Sequence, residues 1–94
     1  MYLGFEWDDR KAAANRRKHH VSFEEAATVF DDPLSISFPD PDHSENEDHW
    51  IIIGHTLQRP TLLVIYMERG RLVRIISARR ATHRERMMYE EGPA

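Results

Sequence analysis

Three apolar runs rich in β-branched residues follow one another with almost nothing between them: Trp50 to Leu57, Thr61 to Met67 and Leu72 to Ala78. A parallel crossover needs a dozen or more residues, so runs this close can pair only as an antiparallel meander. Gln58-Arg59-Pro60 supplies one tight connection, and the turn at Arg69-Gly70 is short enough for a two-residue hairpin loop. Upstream, Leu34-Ser35-Ile36-Ser37-Phe38 alternates as a half-buried strand does and is ended by Pro39-Asp40-Pro41-Asp42.

The N-terminal third has a different period. Leu3 to Trp7 reads as a short strand that stops where Asp8 offers a helix N-cap. Asp9 to His19 are strong helix formers with positive charge gathered at the C-terminal end, and the helix should stop around His20. Ser22 and Glu25 have capping-box spacing, and Phe23, Ala26, Ala27 and Phe30 form an apolar stripe that ends before Pro33. Thr82 and Glu85 repeat that spacing and open a C-terminal helix that stops before Gly92-Pro93.

The order is strand, two helices, four strands, helix. It predicts an α+β fold: a mainly antiparallel sheet with two N-terminal helices packed on one face, a C-terminal helix, and one sheet face left open. Phe5, Trp7, Phe23, Phe30, Ile52, Leu63, Ile65 and Ile75 are the expected core between helices and sheet. At 94 residues and 40% hydrophobic content, residues 1–94 suffice for a single domain with one core.

The chain has no cysteine, which excludes disulfides and thiolate metal sites and suits a reducing cytoplasm. The N-terminus lacks the basic and apolar regions of a signal peptide, and no apolar run approaches the roughly twenty residues that span a bilayer. Neither export by that route nor a membrane span is expected.

The formal net charge of -3 argues at first against a nucleic-acid partner, but the charge is segregated. Asp31 to Asp48 holds seven carboxylates and no Lys or Arg, whereas Arg69 to Arg86 holds seven arginines and one glutamate, Glu85. Eleven of the thirteen basic residues are arginine, the side chain suited to bidentate phosphate or carboxylate recognition.

Arg74 sits in the middle of Leu72-Val73-Arg74-Ile75-Ile76, which otherwise reads as a central strand. Period-two alternation puts Leu72, Arg74, Ile76 and Ala78 on one face, so the guanidinium would rise from a partly apolar floor, either to meet a phosphate or to form a salt bridge with the acidic loop. Arg79 and Arg80 follow, and Ser77 can hydrogen-bond a phosphate oxygen. The loop Asp42 to His49 mixes carboxylates with imidazoles, the groups that move protons. Metal-free RNA cleavage needs a base for the ribose 2′-hydroxyl, an acid for the 5′-oxygen and cations for the transition state. The alternative is a solvated loop whose Ser44 or Asp42 caps local backbone donors. His43, His49 and His55 match no standard ligand spacing, so no metal is expected.

The chain as a whole resembles the BrnT toxin family. The resemblance is carried by Phe5-Glu6-Trp7-Asp8, Asn15, Lys18-His19, Val21-Ser22-Phe23-Glu24-Glu25-Ala26, Phe30, Asp32-Pro33, His43-Ser44-Glu45, Glu47, Ile53-Gly54 and Arg74-Ile75-Ile76-Ser77-Ala78-Arg79. It implies a RelE-like fold, a ribonuclease that arrests translation without cofactor or metal, and neutralisation by a ribbon-helix-helix antitoxin of the BrnA type. Operator DNA would be bound only through that antitoxin. In that setting Arg74, Arg79, Glu47 and His49 are the candidate catalytic residues, with Ser77, Arg80 and Arg59 as RNA-binding candidates. Two positions depart from the family pattern: His20 replaces a usual glycine and His49 a usual arginine. A second reading stays open, in which a non-catalytic module uses the same basic sheet face to bind an antitoxin or a nucleic acid.

Overall fold

The computed structural model describes residues 3–42, 48–58 and 60–92. Five strands form one sheet in the order β1-β5-β4-β3-β2: β1 Gly4–Glu6, β2 Ile36–Pro39, β3 Trp50–His55, β4 Thr61–Arg69 and β5 Leu72–Arg80. β2 to β5 pair antiparallel, as the short connections require, while β1 adds to β5 in parallel. Gly70, at φ 62°, supplies the left-handed residue of the two-residue turn between Arg69 and Leu72.

The helix α1 spans Asp9–His19 and begins where the Asp8 carboxylate accepts the N–H groups of Arg10 and Lys11 at 2.8 and 3.0 Å. It ends at His20, whose φ of 60° and ψ of 29° are left-handed. α2, Phe23–Ala27, is capped by Ser22 Oγ accepting from Glu25 N–H and runs into a 3-10 turn at Thr28–Asp31. These elements bury Val21, Phe23, Ala26 and Val29 against Ile52, Leu62, Val64, Tyr66, Val73, Ile75 and Ala78 of the sheet. Edge-on ring contacts from Phe5 to Phe30, Phe30 to Tyr66 and Trp7 to Phe23 close the layer.

Of the expected core, Trp7, Phe23, Phe30, Ile52 and Ile75 lie in this layer, and Phe5 sits at its fringe, 37% exposed. Leu63 and Ile65 do not. They pair with Ile53 and Ile51 on the opposite sheet face, where they line a cavity with Met88.

That opposite face is not bare. α3, His83–Glu91, opens with the full Thr82/Glu85 capping box and lies against part of it. The expectation of one uncovered face is thus corrected to a face partly covered by the C-terminal helix.

Period-two alternation also fails inside β5. Tyr66 pairs with Ile75 but Ile65 pairs with Ser77, so Ile76 is an extra residue and the strand carries a β-bulge. Val73 and Ile75 face the helices before the bulge, and Ala78 faces them after it. Arg74 and Ala78 therefore lie on opposite faces, not the same one.

β1 is only three residues long and leaves the edge of β5 beyond Arg74 without a strand neighbour among the described residues. Asn15 takes that place: its Oδ1 accepts from Ala78 N–H at 3.1 Å and its Nδ2 donates to Ala78 O at 2.8 Å and Val21 O at 3.1 Å. The residue is 8% exposed, so these groups have little access to water.

Replacing Asn15 by Ala strands three buried backbone groups and should lower unfolding free energy by about 3 kcal/mol in chemical denaturation. His20→Gly relieves a left-handed non-glycine residue and should raise it by about 1 kcal/mol. A destabilised His20→Gly protein would contradict the αL assignment at that position.

Candidate functional site

The bulge at Ile76 decides which arginines can act together. Residues 74 and 79 differ by an odd number and would fall on opposite faces of a regular strand. With one extra residue between them, Arg74, Ser77 and Arg79 share the face away from α1 and α2, paired with Met67, Ile65 and Leu63. Arg80, paired with the core residue Leu62, belongs to the other face and is exposed.

Each guanidinium on the shared face already holds a carboxylate. Arg74 Nη1 donates to Glu6 Oε2 at 2.8 Å, with both side chains about 30% exposed, and Arg69 approaches the same oxygen at 3.4 Å. The partner of Arg74 among the described residues is thus β1, not the acidic loop that the sequence suggested. Arg79 makes a two-pronged pair with Glu85, at 2.8 and 3.0 Å, and also donates to Arg80 O. The hydrogen bonds with Glu85 raise the Arg79 pKa, and those with Arg79 lower that of Glu85, so both stay charged. Glu85 also accepts from Thr82 N–H, so one carboxylate caps α3 and fixes Arg79.

Beside Arg79 lies a cavity of about 350 Å³. It is lined by apolar residues of β2, β3 and β4 with Met88 of α3, and by Asp40, Asp42, Glu85 and Arg79. Asp40 is only 3% exposed, and its N–H donates to His49 O at 2.9 Å. His49 is consequently held at the end of the β2–β3 pair where the loop joins the two strands, partly buried. Glu47 and Arg59, with His43, Ser44 and Glu45, lie outside the described residues. Among the described residues no group of three or more His, Asp or Glu is placed to hold a metal ion, and no helix is long and apolar enough to cross a membrane.

A second carboxylate fixes the far end of α3. Asp32 Oδ2 accepts the Tyr89 hydroxyl at 2.6 Å and His55 N–H at 2.8 Å, while its Oδ1 takes Leu34 N–H at 2.9 Å. The Tyr89 ring also lies against His55, with centroids 4.8 Å apart. Gly54 makes room for this junction, since a Cβ there would come within 3.0 Å of Val29 and Ser35 and 3.1 Å of Asp32. Burial raises the Asp32 pKa, but the hydrogen bonds from Tyr89, His55 and Leu34 outweigh it and leave the group below its ordinary value. Burial and the Asp32 carboxylate push the Tyr89 hydroxyl up to about 12.

Sequence reasoning missed Glu6, Asp40 and the pairing role of Glu85. Glu6 precedes β5 by most of the chain length, and no local pattern links them. For Glu85 the capping-box spacing was visible, but it says nothing of Arg79.

Fold and site together define a small α+β protein that presents guanidinium groups on one side of its sheet, one of them, Arg79, beside a cavity. A family profile described as "Ribonuclease toxin, BrnT, of type II toxin-antitoxin system" matches residues 7–85. The chain belongs to that family of ribonuclease toxins, and a toxin of a type II system has an antitoxin as its partner. The crystal structure of the Brucella abortus ribonuclease toxin BrnT, at 1.1 Å resolution, is similar in fold, with a TM-score of 0.69 and 23% identity. The match covers 86% of this chain and 99% of that one. Among curated protein sequences none matches.

The Tyr89–Asp32 bond gives a pH signature. A raised tyrosine pKa contributes stability that is fully present below the unfolded value near 10 and is lost as pH rises toward about 12. The lowered Asp32 pKa contributes stability that is present above its ordinary 3.8 and is lost as pH falls below it. Thermal unfolding of the wild type should therefore weaken between pH 10 and 12, and Tyr89→Phe should flatten that limb. An unchanged alkaline limb in Tyr89→Phe would place its origin elsewhere.

Proposed function

We propose that this toxin cleaves RNA without a metal ion on the sheet face that carries Arg74, Ser77 and Arg79, and thereby arrests translation in the cytoplasm. The observation that supports this most is the bulge at Ile76, which brings all three residues to one face, where Arg79 also lines a cavity. In this reading Arg74 and Arg79 exchange their carboxylate partners for phosphate oxygens and stabilise the pentacovalent transition state. Ser77, between them, donates to a further phosphate oxygen. A base removes the 2′-hydroxyl proton, the 2′-oxygen attacks phosphorus, and the 5′-oxygen leaves with a proton from an acid. The products carry a 2′,3′-cyclic phosphate and a 5′-hydroxyl. Glu47 and His49 are the proposed proton carriers, and Arg59 a proposed contact for flanking RNA. Arg80 faces away from this surface and reaches RNA only where the chain wraps the sheet end.

The partner is proposed to be a ribbon-helix-helix antitoxin of the BrnA type. An acidic or amphipathic segment of it would cover the arginine-bearing face, exclude RNA and carry the complex to operator DNA. The non-catalytic alternative would keep this surface and lack turnover.

Arg74→Ala and Arg79→Ala should each lower RNA cleavage in the presence of a chelator by about 100-fold, with the thermal midpoint measured in parallel to separate chemistry from folding. Wild-type rates in both variants would move the site elsewhere. Growth arrest on expression should be relieved by the same substitutions. Saturating antitoxin should abolish cleavage, and full activity in the saturated complex would defeat the proposed mode of neutralisation.

A further inference from the structure

Helix α1 carries more positive charge than its own stability calls for. Five of its residues are Lys or Arg, against one acid, Asp9. Arg16, Arg17 and Lys18 in the last turn complement the negative end of the helix dipole, but Arg10 and Lys11 sit in the first turn, where that dipole opposes a cation. The N-cap Asp8 attracts Lys11 through space without an ion pair, and its Oδ1 accepts the backbone N–H groups of Arg10 and Lys11. Lys11, Ala14, Lys18 and His19 line a groove of about 280 Å³ together with Ile76 and Ser77 of β5. Lys11 and Lys18 are two helical turns apart, so they share one face of α1 at a spacing of about 10 Å, with the small Ala14 between them. All three positions are exposed.

We propose that this groove holds the phosphate backbone of single-stranded RNA through Lys11 and Lys18, alongside the phosphates bound by Arg74 and Arg79. The proposal rests on the reading of the chain as a ribonuclease that acts at Arg74, Ser77 and Arg79. Ser77 joins the two surfaces, since it lines the groove and shares its sheet face with both arginines. The arginines of that face are paired with carboxylates, Arg69 and Arg74 with Glu6 and Arg79 with Glu85. Among the described residues Lys11 and Lys18 have no such ion pair.

An acidic segment of a protein partner would meet the same charge, but the groove offers it little else. Its apolar lining is Ala14 and Ile76, whereas surfaces that proteins bury against one another are enriched in aromatic residues and depleted in lysine. Phosphates need only cations and hydrogen-bond donors, which Lys11, Lys18, His19 and Ser77 supply. An ammonium group meets a phosphate as a point charge and reads no base. The groove therefore adds affinity and fixes the direction of the strand without adding sequence preference.

The test is the salt dependence of binding to a 2′-O-methyl RNA of about ten nucleotides, which lacks the attacking hydroxyl and is bound without being cleaved. Each phosphate neutralised by a free cation contributes about 0.7 to the slope of log affinity against log salt for a single strand. The double variant Lys11→Gln, Lys18→Gln should reduce that slope by about 1.4 and weaken binding at least about tenfold at about 0.1 M salt. Ala14→Glu places a carboxylate between the two lysines at an exposed helical position and should weaken binding while removing no cation. An unchanged slope in the double variant, or wild-type affinity in Ala14→Glu, would overturn the groove and leave the ribonuclease reading standing. Wild-type RNA binding with loss of antitoxin binding in these variants would assign the groove to the protein partner and overturn the proposal. A reduced slope in the double variant, with Arg74→Ala and Arg79→Ala cleaving at wild-type rates, would keep the groove as an RNA site and remove the reading of the catalytic face.

Discussion

The Asn15 side chain is the joint on which the arrangement of helices and strands depends. A carboxamide carries one donor group and one acceptor in the geometry of a peptide, so a single asparagine can pair both backbone groups of Ala78 as a neighbouring strand would. β1 stops at Glu6 and cannot do this. The third bond, to Val21 O, ties the loop after His20 to the same point. Helix α1, the left-handed turn that ends it, and the start of α2 are thus all referenced to one residue of β5. That residue lies between Ser77 and Arg79, whose side chains leave by the other face. A contact buried beside the core therefore sets the backbone from which the Ser77 and Arg79 side chains project.

Two carboxylates play a comparable part on the far side of the sheet. Glu85 and Asp32 hold α3 near its two ends, one through Arg79 and the other through Tyr89. No side chain of α3 is fully buried, so its position relies on these polar contacts more than on apolar area. The helix that borders the cavity is consequently more sensitive to charge than α1 and α2 are. Its N-terminal anchor is the arginine proposed to contact RNA, which couples the seating of α3 to occupation of the site.

Features governed by neighbours in sequence were legible before the fold was known. Asp8, Ser22 and Thr82 cap the helices they were expected to cap, Pro33 follows the end of the second helical segment, and short connections fixed the meander. The bulge was not legible, because Ile75 and Ile76 are both apolar and either can satisfy the alternating pattern. Their adjacency was the one available hint. The parallel pairing of β1, the Glu6–Arg74 ion pair and the cavity all depend on contacts between distant segments, and local periodicity carries no information about them. Asn15 was recognised as part of a family pattern, but its role as a substitute strand required the backbone of β5.

The two occupied guanidiniums also bear on how RNA affinity should respond to salt. A free cation that meets a phosphate displaces a counterion condensed on the nucleic acid, and the number displaced sets the slope of affinity against salt concentration. Arg74 and Arg79 each have a carboxylate beside them, Glu6 (shared with Arg69) and Glu85, so in the proposed encounter each brings less than a full free charge to the phosphates. Fewer counterions are then released than contacts are made. In the proposed mechanism a salt titration would undercount the phosphates that these arginines contact, and the overall negative charge of the chain is compatible with an exchange of hydrogen-bond partners at that surface.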